Sequence, residues 1–240
     1  MQIAVANNLM WEKPVSLLPG DVIPPGDKML WINGSNVDVS TDFVALNLFG
    51  GGNAVQATAM NKPVLTASAL NGLPIVQHDS NLKALQAGIT TSGGIYAISV
   101  MRIASFNLNL ARVLSAVKTG ETDILGANSG AVILRNLLTS GLTSFQLNAQ
   151  IGSGYAQAAG SFITIETHWD NIAGRVKHWI NGTQTADDAW VGALASDAIK
   201  IGDPLLSLVF DWAEIICAKT ITANNQGRLR RYLQNKYAHY

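Results

Sequence analysis

The stretch "GGGNAVQATAMNKPVL", Gly50 to Leu65, decides between two folds. Three consecutive glycines can cradle a phosphate or turn a corner between strands. A phosphate loop needs a strand before it, glycines at fixed offsets, often a lysine, and a helix start that aims N–H groups at the anion. Here no Gly-Lys-Ser/Thr follows, and Lys62-Pro63 breaks the weak helical pattern of the residues before it. The stretch reads as a corner of a β-fold, which argues against a nucleotide enzyme.

The text on either side agrees. "SFITIETHW" places Ile163, Ile165 and Trp169 on one face of a strand and Thr164, Glu166 and His168 on the other. "RVKHWING" alternates Val176, His178 and Ile180 against Lys177 and Trp179. "GIYAISVMRIAS" and "AVILRNLL" are further β-rich runs. Asn-Gly, which readily takes the positive φ of tight hairpins, occurs at 33–34, 71–72 and 181–182. Many short strands between turn signals predict a sandwich or barrel. One helix is predicted at the end, over 222–238. Thr222 is its N-cap, Leu229, Leu233 and Tyr237 line one face beside Tyr232, and the basic residues from Arg228 to Lys236 form a solvated face.

At 240 residues the chain suits one sandwich domain, expected over 29–240. Charged residues are 13% and sum to zero, which gives no electrostatic reason to expect nucleic acid or an anionic membrane as partner. Neutrality favours association, so a homo-oligomer is expected. Residues 1–28 carry four of the seven prolines and read as an extended arm. Its apolar residues, Met10, Trp11, Leu17 and Leu18 among them, suit packing on a neighbouring subunit. Lone Cys217 reads as a buried hydrophobe. No signal peptide or bilayer-spanning run is evident.

An ordered series of short motifs then stands out. It comprises Leu30-Trp31, Gly52-Asn53 with Ala57-Thr58, Lys62-Pro63-Val64-Leu65, Leu70-Asn71-Gly72-Leu73-Pro74-Ile75-Val76, Ile180-Asn181-Gly182, Ala213-Glu214-Ile215-Ile216, and Tyr232-Leu233 with Lys236-Tyr237. The series resembles the laminin-G-like, concanavalin-A-like domains of bacteriophage virion proteins and bacterial surface proteins. The resemblance implies an all-β jelly-roll sandwich with a closing helix. It also implies a setting in a virion as a decoration, fibre or tail part, docked to itself and to other virion proteins. The family's acidic cluster is reduced here to "HDSN", and Asp79 alone is a poor calcium ligand, so no metal and no cofactor is expected.

Chemistry-bearing residues are sparse. Of four glutamates, Glu166 with Asp170 in "ETHWD" comes nearest to the carboxylate pair of a glycosidase, with His168 on the same face. That row reads either as a glycan patch or as the solvent-facing side of a half-exposed strand. Glu214 shares a face with Leu208, Phe210, Trp212 and Ile216 and needs a hydrogen-bonding partner. No nucleophilic triad is visible, and histidines 78, 168, 178 and 239 lack metal-ligand spacing. The expectation is therefore a non-enzymatic structural component of a virion. The alternative is a lectin that recognises a cell-surface glycan through Trp190 and Tyr155, two loop aromatics, with Glu166 and His168.

Overall fold

The computed structural model describes residues 17–105, 110–136, 141–147, 149–151, 155–156 and 160–238. Strands are numbered in chain order. The first sheet contains β1 (Lys28–Asn33), β5 (Val64–Leu70), β6 (Leu73–His78), β8 (Ile95–Ser105), β14 (Phe162–Asp170), β15 (Arg175–Ile180), β16 (Thr183–Ala189) and β18 (Val209–Ala218). Its spatial order is β16-β15-β14-β8-β18-β6-β5, with β1 also paired to β18. The second sheet contains β2 (Val37–Asp38), β3 (Phe43–Ala45), β4 (Ala54–Gln56), β7 (Ala84–Ala87), β9 (Ala111–Val117), β10 (Gly130–Asn136), β11 (Gly141–Gln146), β12 (Ala149–Gln150), β13 (Tyr155–Ala156) and β17 (Ala198–Gly202). It runs β12-β11-β10-β9-β17-β7-β4-β3-β2, with β13 on β11. Pairing within both sheets is antiparallel, so the chain is an all-β sandwich, as its alternation predicts.

Two apolar layers result. The larger lies between the sheets and includes Phe43, Leu85, Met101, Ile165, Trp169, Ile199, Phe210 and Trp212. The smaller covers the outer face of the first sheet. There Ile75, Tyr96, Ile98, Val100 and Ile216 pack against Leu229, Tyr232, Leu233 and Tyr237 of helix α2 (Ala223–Tyr237). Thr222 caps that helix, accepting a hydrogen bond from the Asn225 N–H at 3.3 Å.

The helix covers more than the sequence suggests. Glu166 and Glu214 lie on β14 and β18, either side of β8, opposite Ile98 and Val100. Both carboxylates are fully buried beneath α2. Arg230 donates to Glu166 from Nε at 2.6 Å and from Nη2 at 3.0 Å, and Lys236 donates to Glu214 at 2.6 Å. Six helical residues rise about 9 Å, close to two strand spacings of about 4.8 Å, so the helix lies across the strands with one cation over each acid. The basic residues are thus not one solvated face: Arg230 and Lys236 turn inward, while Arg231 faces solvent.

Glu214 also departs from its expected face. A register shift between Trp212 and Glu214 slips the phase of β18, so Phe210 and Trp212 point into the inter-sheet core while Glu214 points at the helix. Period-2 reading carries no signal for such a slip. The solvent-facing reading of the Thr164–Glu166–His168 row is likewise corrected, because these residues are buried, at most 7% exposed.

The N-terminal stretch differs from a wholly extended arm. Residues Pro19–Val22 form a short helix, α1, and Val22 and Ile23 are buried in the layer beneath α2 of the same chain. Leu17 packs at the edge of that layer, while Leu18 is half exposed. Met10 and Trp11 lie outside the described residues.

The Asn-Gly pairs divide. Asn71-Gly72 and Asn181-Gly182 hold positive φ at both positions and turn the β5–β6 and β15–β16 hairpins. Asn33-Gly34 does not: Asn33 is extended and caps a turn at Gly34–Asn36. What requires glycine at 34 is close approach, since a Cβ there would lie 2.3 Å from the Pro74 carbonyl oxygen. Gly34→Ala is expected to lower stability by about 2 kcal/mol, because the overpacking cost exceeds the gain from a stiffer unfolded chain. Urea unfolding checks it, and an unchanged midpoint would contradict the approach. Gly50 and Gly51, both at positive φ, turn the corner between β3 and β4 as expected.

Candidate functional site

The expected glycan residues do not converge. Glu166 is buried and ion-paired under α2, where Tyr96 and Gln226 also donate to it at 3.1 and 2.8 Å. His168 is nearly buried beside Tyr96, its ring edge-on at 5.8 Å. Burial lowers its pKa, opposed by the charge of Asp170 and aided by that of Lys177. Trp190 is 4% exposed, not a loop platform: its indole packs edge-on to Trp169 at 5.2 Å, and its Nε1–H donates to Gln146 Oε1 at 2.9 Å. Tyr155 sits in β13, paired with Leu142 of β11 in the second sheet, away from the α2 face. Strand alternation shows which residues share a face, but not that a helix will later cover that face. That gap is why the patch fails as a surface.

A different constellation is open. The outer face of the second sheet carries a cleft of about 150 Å³, lined by Gln86, Val117, Lys118, Thr119, Gly120, Glu121, Asp197, Ala198 and Lys200. Strand alternation places its floor. Ile199 and Ile201 enter the core, so Ala198 and Lys200 face outward on β17. Lys200 lies opposite Gln86 of β7 and Ser115 of β9, and Ala198 lies opposite Val117.

The rim is a turn held from below. Arg112 and Asp123 form an ion pair at 3.0 Å with both side chains under a tenth exposed, and Ser115 Oγ donates to Asp123 at 2.7 Å. This pins the loop after β9 to the sheet. On that loop Glu121 accepts from the Asn128 N–H at 3.0 Å, Asn128 Nδ2 at 2.7 Å and Ser129 Oγ at 2.9 Å. Asp197 accepts from the Thr119 N–H at 2.9 Å and Thr119 Oγ1 at 3.1 Å, and pairs with Lys118 at 3.2 Å. The side-chain hydrogen bond from Asn128 leads those that pull the Glu121 pKa down. For Asp197, partial desolvation pulls upward, but the bonds from Lys118 and Thr119 outweigh it and its pKa is also lowered. Both carboxylates are ionised at neutral pH and fixed in direction before any ligand arrives.

None of these residues stands out in sequence. "KTGE" at 118–121 reads as an ordinary turn, and Lys200 is one polar residue in an alternating strand. Only the β7–β17–β9 pairing brings Gln86, Lys118 and Lys200 together. Among the described residues, no group of three or more His, Cys, Asp or Glu is placed to hold a metal ion, and Asp79 instead lies 3.7 Å from Lys83.

No protein-family model and no curated protein sequence matches the chain. Solved structures do share its fold. Trypanosoma rangeli sialidase in complex with sialic acid superposes with a TM-score of 0.62 at 8% identity, over 90% of this chain and 34% of that one. The same enzyme as a covalent intermediate with 2,3-difluorosialic acid gives 0.60 at 8% identity, over 90% and 34%. A GH54 α-L-arabinofuranosidase soaked with 4-nitrophenyl α-L-arabinofuranoside gives 0.56 at 13% identity, over 88% and 60%. The chain thus spans about a third of the sialidase and three fifths of the arabinofuranosidase. At these identities the likeness is one of fold. It overturns the expectation of a non-enzymatic chain, because the solved structures named above that share the fold are glycosidases.

Proposed function

We propose that the chain is a carbohydrate-recognition module that binds saccharide in the Gln86–Lys118–Asp197–Lys200 cleft. The observation that carries this reading is the pre-oriented rim. Asp197 is held by Thr119 and Lys118 above an outward sheet face, so recognition needs no reorganisation of that carboxylate. The fold shared with sialidase and arabinofuranosidase supports the same ligand class. The virion setting expected from the sequence motifs rests on that resemblance alone.

A glycan array on the full chain tests the reading. Asp197→Ala and Thr119→Val are expected to weaken the best signal about tenfold, the loss of a charged hydrogen bond. The melting temperature should change little, because both residues are on the surface. A silent array, or undiminished binding by both variants, would overturn the reading.

Hydrolysis at the same cleft is the second reading, favoured by the glycosidase neighbours and by two carboxylates on one rim, Glu121 and Asp197. Their lowered pKa values suit a base or nucleophile, and a general acid would have to come from another group. Release of reducing sugar, lost in Asp197→Asn, would establish it.

A further inference from the structure

We infer that the cleft selects saccharides that carry a carboxylate, received by Lys200 with Gln86 beside it. The inference deepens the carbohydrate reading and rests on it.

The acceptors are largely engaged. Asp197 takes two donors from Thr119 and the ammonium of Lys118, and Glu121 takes three donors from Asn128 and Ser129. A carboxylate has about four lone-pair sites, so each keeps about one for a sugar hydroxyl. Lys118 is likewise matched to Asp197.

The donors that remain are on the floor. Lys200 lines the cleft and, among the described residues, forms no ion pair or hydrogen bond. Its three N–H donors are free. Gln86, directly opposite on β7, lines the same cleft with its amide likewise unengaged. The vacant capacity is therefore mainly for donation, and one full positive charge belongs to it. A neutral sugar offers hydroxyls that both donate and accept, and would use this donor capacity only in part. A ligand carboxylate accepts only, and pairs with an ammonium through the shorter, stronger charge-assisted bond. Val117 and Ala198, both nearly buried beside it, give the floor an apolar edge for the face of a sugar ring.

The test is titration calorimetry on the full chain with four probes: the methyl glycosides of N-acetylneuraminic acid and glucuronic acid, and the methyl ester of each. The acids are expected to bind about five- to tenfold tighter than their esters, with the gap narrowing as salt is raised from 20 to 500 mM. In Lys200→Gln the acid should fall to the affinity of the ester while the ester is unchanged. Gln86→Ala should weaken acid and ester by a similar, smaller factor. Equal binding of acid and ester, or an acid preference that survives Lys200→Gln, would overturn the inference and leave the carbohydrate reading standing. No binding by any of the four, together with a silent array, would overturn both.

Discussion

Glu214→Leu is expected to lower the unfolding free energy by about 4 kcal/mol, roughly double the loss in Glu214→Gln. The carboxylate is fully buried and organises four donors from two parts of the chain, β1 and α2. Trp31 Nε1–H donates to Oε1 at 2.5 Å and Tyr232 O–H at 3.0 Å, while Tyr237 O–H donates to Oε2 at 2.7 Å and Lys236 at 2.6 Å. Leucine fills most of the volume but leaves the Trp31 indole and the Tyr232 phenol without this acceptor, at about 1–3 kcal/mol for each buried unsatisfied group, while the Tyr237 phenol keeps the Ala213 carbonyl at 3.3 Å. The lysine is about a quarter exposed and can turn to water, so it adds less. Glutamine keeps one acceptor oxygen and so recovers part of the network. The phenols report the acid too. Burial, then the charge of Glu214, raises both tyrosine pKa values beyond the range in which tyrosines ordinarily ionise. Urea unfolding followed by tryptophan fluorescence reads the result. A leucine variant as stable as the glutamine variant would show that the donors find water without cost, and that the acid does not hold α2 to the sheet.

That network also marks how far sequence reasoning reaches here. The sandwich was legible because its cues are local. Alternation in "SFITIETHW", Asn-Gly at 71–72 and 181–182, and the Leu229–Leu233–Tyr237 stripe each act within one element. Glu214 announced a need for partners, since a carboxylate among apolar neighbours must find some. The partners were not legible, because Trp31 is 183 positions away and a bulge sets which face the acid takes. Glu166 failed for a related reason: the helix that buries it is 64 residues downstream. The cleft was the least legible feature. It depends on β7, β9 and β17 lying side by side and on a turn pinned by Asp123, and neither leaves a periodic trace.

Acid is expected to unfold the chain well above the pH at which surface carboxylates alone would act, through two histidines that the fold keeps neutral. His78 is fully buried, stacked on Phe210 at 4.4 Å. Its Nδ1–H donates to the Lys83 carbonyl at 3.2 Å, while Nε2 is buried with no partner among the described residues. Burial chiefly pulls its pKa down to about 3. His178 is also fully buried between the sheets, with ring nitrogens near Thr167 Oγ1 at 3.1 Å and Ser144 Oγ at 3.4 Å. Burial lowers its pKa to about 4, against an upward pull from Asp188. In the unfolded chain both titrate near 6.5. The folded value is the lower one, so below about pH 6.5 the unfolded state binds more protons and stability falls with pH until each folded pKa is passed. Between pH 7 and pH 4 each histidine should remove on the order of 3 kcal/mol, and the pair therefore a large part of a typical domain's 5–15 kcal/mol. The double variant His78→Phe, His178→Gln removes both titrations while keeping an aromatic stack at one site and a hydrogen-bonding side chain at the other. Whatever its stability at pH 7, its loss of stability between pH 7 and pH 4 should be several kcal/mol smaller than that of the parent, as read from urea midpoints across that range. Equal pH slopes in parent and variant would mean that neither imidazole is kept from its proton by the packing around it.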